Sequence, residues 1–561
     1  MDKRSRTFPA WKGVLPHALA GLFGALVAVY LAGHAISNPT DASWLVGEFL
    51  GEQDRASHYF GWMHFRDDIW RFPLGANPGN GLELGSSIVY SDSIPLLAFS
   101  AKLLAGLIDT RFHYFGFWVL CCFVLQGIAG YRLARLASPH WPIALVASAM
   151  FVLSPVLIER ISRHLTLGGQ FLILAALILV FDNSIRKKNL LWIALLAVST
   201  LVHFYFLAMV AALWLGDLIV RFRQGDAPKG LLAEFAGGYI AVFLCAWISG
   251  YLMIGQGSAS YGYGVFNLNL LAPVASNSFG RIPDIWGEDW QAEGFGYLGL
   301  GAILLGGLAI VLFFKHRALL MPLARFYLPV ILILVGLWAF AVTNRIGIGP
   351  LSLEVPLPLA LKGLANFLRS SARMFWPIYY FAIFASIFVV CRAFRPRHAM
   401  MILVAAVGIQ LIDIWPGMER TRNGFASDAS FVPLERTGRI WELAATRYSR
   451  MRFLPVGGAG EEWLPLADYA ARNSIDTDIA YLARVDRKGF EIARKSSDRL
   501  LEDGNFDPDT LYVFDKDRAE RIAALPLPDH MLFAEIGKRY VLASGMKECD
   551  CAAEDTRSRE K

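Results

Sequence analysis

The residues best able to do chemistry gather just after the first apolar run, in the stretch GEQDRASHYFGWMHFRDD. Asp54 and His58 are four positions apart, so a helix there puts both on one face, and Trp62 and Phe65 continue the spacing. The pattern reads as an amphipathic helix at the membrane boundary, with its aromatics at headgroup depth. A carboxylate in that position can act as general base toward a hydroxyl. It can also hold a divalent cation such as Mg2+ or Mn2+, with Asp54 as the ligand. Glu52 is a second acid in the same stretch. Asp92, in YSDSIPL, either caps the helix that follows it or faces the same cavity as Asp54. The plainer reading of all these groups is a capped helix end and a salt-bridged surface.

A second set could hold an anion. Arg160, Arg163 and His164 lie in ERISRHLTLGGQ, and Arg160 and His164 share a face if the segment is helical. Such a pair suits the phosphate of a lipid carrier, and snorkelling toward lipid headgroups is the alternative. His203, in STLVHFYF, stands beside Tyr205 and can line a lipid or sugar site or simply sit in an interfacial belt. Arg373, in SSARMFWPIYY, has Trp376 and Tyr379 three and six positions on, framing a helix face for a phosphate or anchoring at the interface. Asn267, Asn269, Trp286, Glu293 and, just beyond it, Tyr297 are the polar or aromatic candidates of loop 255–294, whose composition resembles a carbohydrate surface, without any catalytic spacing. No GxxxxGK[ST] nucleotide loop exists. Cys549 and Cys551 lack the further ligands a structural zinc needs.

Elements of two kinds must position these groups. The chain has 561 residues, 55% of them hydrophobic, and mean hydropathy +0.43. Met1–Asp413 holds 51 charged residues and a net charge of +9; the last 148 residues hold 49 and a net −3. A membrane domain over 1–413 is therefore followed by a soluble domain over 414–561. Apolar runs near 14–36, 113–130, 141–158, 165–181, 190–203, 204–220, 231–254, 295–314, 323–342, 376–391 and 398–413 predict about eleven transmembrane helices. Treating 92–108 as a short surface helix puts the basic clusters 132/135, 186–188, 221/223, 315/317 and 392–397 on the inner side. Loops 37–112, 255–294 and 343–375, together with the tail, then lie outside. The basic balance belongs to these inner loops and does not indicate nucleic-acid binding.

The tail alternates helix and strand signals. Helices are expected over 437–451, 463–474 and 517–526, strands over 452–457, 475–485 and 509–515, and a hairpin over 530–544. This is a small α/β domain in an accessory, recognition or capping role.

The arrangement resembles the GT-C superfamily of multispanning glycosyltransferases that use polyprenyl-phosphate sugars. There the first outer loop carries an essential acidic residue, and Asp54 is the nearest equivalent here. The family's adjacent acids are separated here by Gln53, which leaves Glu52 or Asp92 to supply the second carboxylate. More closely, GEQDRASHYFGWMHFRDDIWRFPLG, YSDSIPL, ERISRHLTLGGQ, EGFGYLGLG and ARMFW resemble an uncharacterised bacterial membrane-protein family grouped with that fold. The resemblance implies an inverting hexosyl- or pentosyltransferase in a bacterial inner membrane, with a periplasmic tail. Catalysis would fall to Asp54, Asp92 and Glu52; substrate would meet His58, Arg160, His164, His203, Arg373, Trp376 and Tyr379. Expected partners are a polyprenyl-phosphate-linked sugar, membrane lipids and an envelope glycan, lipid or protein acceptor. The rival readings are a transporter or flippase of lipid-linked glycans and a non-catalytic envelope assembly protein.

Overall fold

The computed structural model describes residues 11–47, 53–254, 262–283, 292–429 and 431–548. Among these, six helices are long and apolar enough to cross a membrane: Val14–Ser37, Phe115–Ala137, Phe204–Gln224, Pro228–Ser249, Ser371–Ala393 and Pro396–Phe425. Two bent pairs raise the number to eight if each is one span: Trp141–Val152 with Pro155–Arg163, at 42°, and Leu300–Lys315 with Arg317–Phe326, at 102°. The expectation of about eleven transmembrane helices is corrected accordingly. Leu165–Phe181, Lys188–Val202 and Leu328–Val342 are apolar but short. A 15-residue helix such as Lys188–Val202 rises about 22 Å, against a hydrocarbon core of about 30 Å. Hydropathy records composition, whereas a span needs uninterrupted length. The chain is a polytopic α-helical membrane protein with a C-terminal soluble α/β domain.

The interruptions have local causes. Ser154 accepts a hydrogen bond from the Leu157 amide at 3.5 Å, and Pro155 follows at the first helical position, so a new helix starts there and the pair bends. His203 alone separates Lys188–Val202 from Phe204–Gln224. It is extended (φ −167°), and its Nδ1 caps the second helix by accepting from the Tyr205 amide at 3.1 Å.

The chain forms two compact units, both discontinuous in sequence. The first comprises 1–39, 115–243 and 260–426. Within it the first span packs closely on Phe115–Ala137, because a Cβ at Gly24 would strike the Phe123 carbonyl and one at Gly127 the Ala20 carbonyl. Asp413 accepts from the Tyr297 hydroxyl at 2.7 Å and from the Leu300 and Arg281 amides at 2.9 and 3.0 Å. These bonds fasten Arg281, Tyr297 and Leu300 to the Pro396–Phe425 helix. A short hairpin, β1 (Arg345–Ile348) and β2 (Leu351–Glu354), completes this unit's regular structure among the described residues.

The second unit comprises 40–114, 244–259 and 427–561. Its five-stranded sheet uses β3 (Arg450–Leu454), β4 (Asp476–Thr477), β5 (Thr510–Phe514), β6 (Met531–Ile536) and β7 (Arg539–Ser544) in the order β4-β3-β5-β7-β6. β3 is parallel to β4 and β5, while β7 is antiparallel to β5 and β6. The core on one side joins Leu454, Tyr512, Phe514, Ile522 and Leu542. The strand expected over 475–485 shrinks to the two residues of β4. A helix not expected at all occupies Arg487–Asp503, capped by the Asp486 carboxylate on the Gly489 amide at 3.0 Å and ended by Gly504 at φ +67°. Its many charges hide a narrow buried stripe of Gly489, Ala493, Ser497 and Leu501.

The first loop folds with the tail in this unit. The expected helix is present as Asp54–Asp67, but Arg55–Arg66 are all buried. Trp62 and Phe65 are thus packing residues of a covered helix, not an exposed headgroup belt. The 92–108 segment is a nine-residue helix, Pro95–Leu103, followed by the turn Ala105–Leu107. Lys102 lies 4.0 Å over the Phe65 ring and 4.8 Å over Trp70, and burial pulls its ammonium down to about 8.

Candidate functional site

The Pro155–Arg163 helix carries Glu159, Arg160 and Arg163 in its last turns and ends at His164. Arg160 is 1% exposed, and its guanidinium stands 3.3 Å from the Glu159 carboxylate and 3.3 Å from that of Glu293. Arg163 lies 2.5 Å from the other oxygen of Glu159. Glu293 sits on the three-residue turn Ala292–Gly294. Arg373, on the turn Ser371–Phe375, grips it bidentately: Nε donates to one oxygen and Nη2 to the other, each at 2.9 Å. Burial alone would raise the Glu293 pKa. The guanidiniums of Arg160 and Arg373 outweigh it and hold the carboxyl well below the usual carboxylate range.

Aromatic groups back this ionic cluster. The Arg373 guanidinium lies 4.7 Å over the Tyr205 ring, whose hydroxyl accepts from the Ser370 amide at 2.8 Å. His203 stacks on Tyr205 at 5.4 Å, and His164 meets His203 edge-on at 5.6 Å. Because His203 Nδ1 accepts from the Tyr205 amide, the proton of its neutral ring belongs on Nε2. That tautomer suits donation to an anion. The imidazole nitrogens of His164 and His203 also come within 4.8 Å of each other, close enough to share a cation if the His203 proton moves to Nδ1 and the bond from the Tyr205 amide is given up. Behind them, Ser154 donates to the Tyr379 hydroxyl at 3.1 Å, and the Tyr380 hydroxyl donates to Gln170.

The first unit therefore brings Arg160, His164, His203 and Arg373 together. Trp376 and Tyr379 do not frame an open face beside Arg373. Arg373 lies in the 3-10 turn that opens the helix they continue, and both are fully buried in helix packing. His58 and Asp92 belong to the second unit, with Asp54. His58 is 1% exposed and bonds through Nδ1 to the Ser91 carbonyl at 2.8 Å, holding the loop that carries Asp92. Asp92 does not cap the helix after it: Ile94 occupies the cap position, without a side-chain hydrogen bond. Asp92 and Ile94 both adopt left-handed backbone, φ 51° and 53°, a conformation that non-glycine residues keep where surrounding contacts enforce it. Asp54 opens its helix and is half-buried. Glu52, Trp286, Cys549 and Cys551 lie outside the described residues.

Glu293, which joins the two arginines, stood out in the sequence only as one polar residue of an aromatic loop. It is 133 positions from Arg160 and 80 from Arg373, so no local spacing could have found it. The one signal was indirect: a basic cluster at 160–164 suited to an anion.

A family described as a domain of unknown function, DUF6311, matches residues 21–415, and its C-terminal domain matches 440–544. The chain belongs to the DUF6311 family. Both ends of the ionic cluster, Arg160 and Arg373, fall within the first match. No curated protein matches the chain. The crystal structure of ArnT from Cupriavidus metallidurans bound to undecaprenyl phosphate is similar at 12% sequence identity, with a TM-score of 0.42, covering 95% of this chain and 98% of that one. A likeness of that size is distant and says nothing of the reaction.

Proposed function

We propose that this DUF6311 protein is a membrane glycosyltransferase that moves a sugar from a polyprenyl-phosphate donor to a cell-envelope glycan, lipid or protein. The donor phosphate would rest against Arg160, His164 and Arg373, and Asp54 would serve as general base or metal ligand. The observation that carries this reading is the bidentate hold of Arg373, joined by Arg160, on a compact anion within a unit of membrane helices. A guanidinium fork that fits a carboxylate also fits two phosphate oxygens. The resemblance of the first loop to the GT-C pattern supports the choice of Asp54.

In this scheme the base removes the acceptor hydroxyl proton, and the oxygen attacks the anomeric carbon from the face opposite the phosphate. The carbon–oxygen bond to phosphate breaks, its electron pair leaves with the lipid phosphate, and the anomeric configuration inverts. The arginines offset the negative charge that develops on the leaving group. Nε2 of His203 adds a donor. A divalent cation would polarise the same phosphate, with Asp54 or the two imidazoles as ligands. Asp92 or Glu52 would be the second carboxylate.

Placement in a bacterial inner membrane with a periplasmic tail is part of the same proposal. With six to eight spans, neither parity nor the basic clusters fix that sidedness, and it rests on the resemblance of the first loop. Alkaline phosphatase fused after Gly417 should be active, and fused within 186–189 inactive; the reverse would overturn the placement. For the reaction, purified protein with labelled polyprenyl-phosphate sugars and envelope acceptors should transfer label. Asp54→Asn should abolish transfer while leaving thermal stability unchanged. Full activity in that variant would remove Asp54 from the mechanism, and failure of transfer across a broad donor and acceptor panel would count against an enzyme.

A further inference from the structure

We infer that Glu293 is a displaceable internal occupant of the Arg160–Arg373 seat, a carboxylate that an incoming phosphate group must push aside in order to bind. This rests on the reading of that seat as a phosphate site.

Four observations carry it. First, the occupant is the more exposed member: its side chain is 21% exposed, against 1% for Arg160 and 8% for Arg373. Second, both guanidiniums have support that does not depend on Glu293. Arg373 lies over the Tyr205 ring, which is itself held by Ser370 and stacked on His203. Arg160 keeps Glu159 from its own helix. The walls of the seat would thus stay in place when the carboxylate leaves.

Third, Glu293 is carried by a three-residue turn, an element with few internal hydrogen bonds, while Arg160 is carried by a capped helix. The segment is fastened a few residues further on, where Tyr297 bonds Asp413, so the turn can release the carboxylate without unfastening its continuation. Fourth, the contact is a two-oxygen grip by an arginine fork, the geometry in which carboxylate and phosphate are interchangeable.

The consequence is a competition within the molecule. The seat accepts phosphate only in the fraction of molecules in which Glu293 has swung out, and the apparent affinity falls by that fraction. Removing the charge of Glu293 should therefore strengthen phosphate binding, the opposite of what losing a ligand-contacting residue does. A purely structural Glu293 would give equal or weaker binding when replaced.

The test uses the full chain in phosphatidylcholine nanodiscs, with farnesyl phosphate and, separately, inorganic phosphate as probes in calorimetric titrations. Glu293→Gln should bind at least one of them about tenfold more tightly than wild type, equivalent to about 1.4 kcal/mol. Glu293→Asp, one methylene shorter and still charged, should fall between the two, and it keeps the test available if the glutamine variant is unstable. A gain confined to farnesyl phosphate assigns the ligand to a lipid; an equal gain for inorganic phosphate assigns it to the free anion. Unchanged or weaker binding in both variants, with measurable wild-type binding, overturns the displaceable role and leaves the phosphate seat standing. No binding of either probe by wild type or variants overturns the seat itself.

Discussion

Two buried ionic clusters in the membrane unit both join basic side chains to carboxylates and are built in opposite ways. One joins Lys188, Asp217, Arg221 and Glu234. Asp217 accepts from Lys188 at 3.1 Å, Arg221 at 2.8 Å and the Trp192 indole at 2.9 Å; Glu234 accepts from Arg221 at 2.6 Å and the Trp214 indole at 2.8 Å. All six residues stand on the helices Lys188–Val202, Phe204–Gln224 and Pro228–Ser249, so the cluster ties three helix bodies together. The other joins Glu159, Arg160, Arg163, Glu293 and Arg373, and it is assembled from two helix ends, Arg373 standing in the opening turn of Ser371–Ala393, and one short turn. A cluster on helix bodies cannot rearrange without moving the helices. One on turns and helix ends can exchange a partner. Residue type alone does not separate the two clusters; the elements that carry the charges do.

The largest expected effect tests the structural half of that contrast. Arg221→Ala leaves Asp217 and Glu234 with their strongest donor gone, both nearly inaccessible to water. Removing one member of a buried ion pair costs about 3–5 kcal/mol, because the remaining charge stays desolvated. Thermal unfolding in detergent should show a large fall in Tm for this variant. A shift no larger than that of an exposed control would mean that water reaches the cluster and that the contrast with the second one is not real.

Much of this difference could not be read from the chain. The apolar runs were legible because hydrophobicity is a local property, and each expected run does contain helix. Their number as spans was not, because it depends on where a helix breaks, and single residues such as His203 and the Ser154–Pro155 step decide that. Arg160, His164, His203 and Arg373 were legible as a set because basic groups near apolar segments need a stated reason. Glu293 was not, because its meaning arises only when the fold closes 133 positions of chain. In the tail, strong β-branched and aromatic runs such as Thr510–Phe514 announced themselves. The Arg487–Asp503 helix did not, since its buried stripe of Gly489, Ala493 and Ser497 has little hydrophobicity to detect.

The next effect tests the binding half. Arg373→Ala should lower phosphate-probe binding about 100-fold, with a smaller fall in Tm than Arg221→Ala. Arg373→Lys should not restore binding, because an ammonium is a point charge and cannot form the two-pronged contact. Equal losses of Tm in the two alanine variants would collapse the distinction between the clusters. Recovery by lysine would mean that charge alone, without the fork geometry, holds the anion.

The smallest effect separates the two tasks of Tyr205. Its ring supports the Arg373 guanidinium, and its hydroxyl accepts from the Ser370 amide, three residues before Arg373. Tyr205→Phe keeps the ring and removes only the acceptor. The expected cost is about 1 kcal/mol of stability, the usual net worth of one hydrogen bond, with phosphate binding almost unchanged. Tyr205→Leu removes the π face as well. A cation–π contact in a desolvated place is worth about 1–2 kcal/mol, so binding should weaken by roughly five- to thirtyfold beyond the phenylalanine variant. If the two variants bind alike, the ring is not what keeps Arg373 in place. The second cluster would then depend on Glu293 for its geometry, as the first depends on its own carboxylates, and an exchangeable occupant would no longer follow from the way the seat is built.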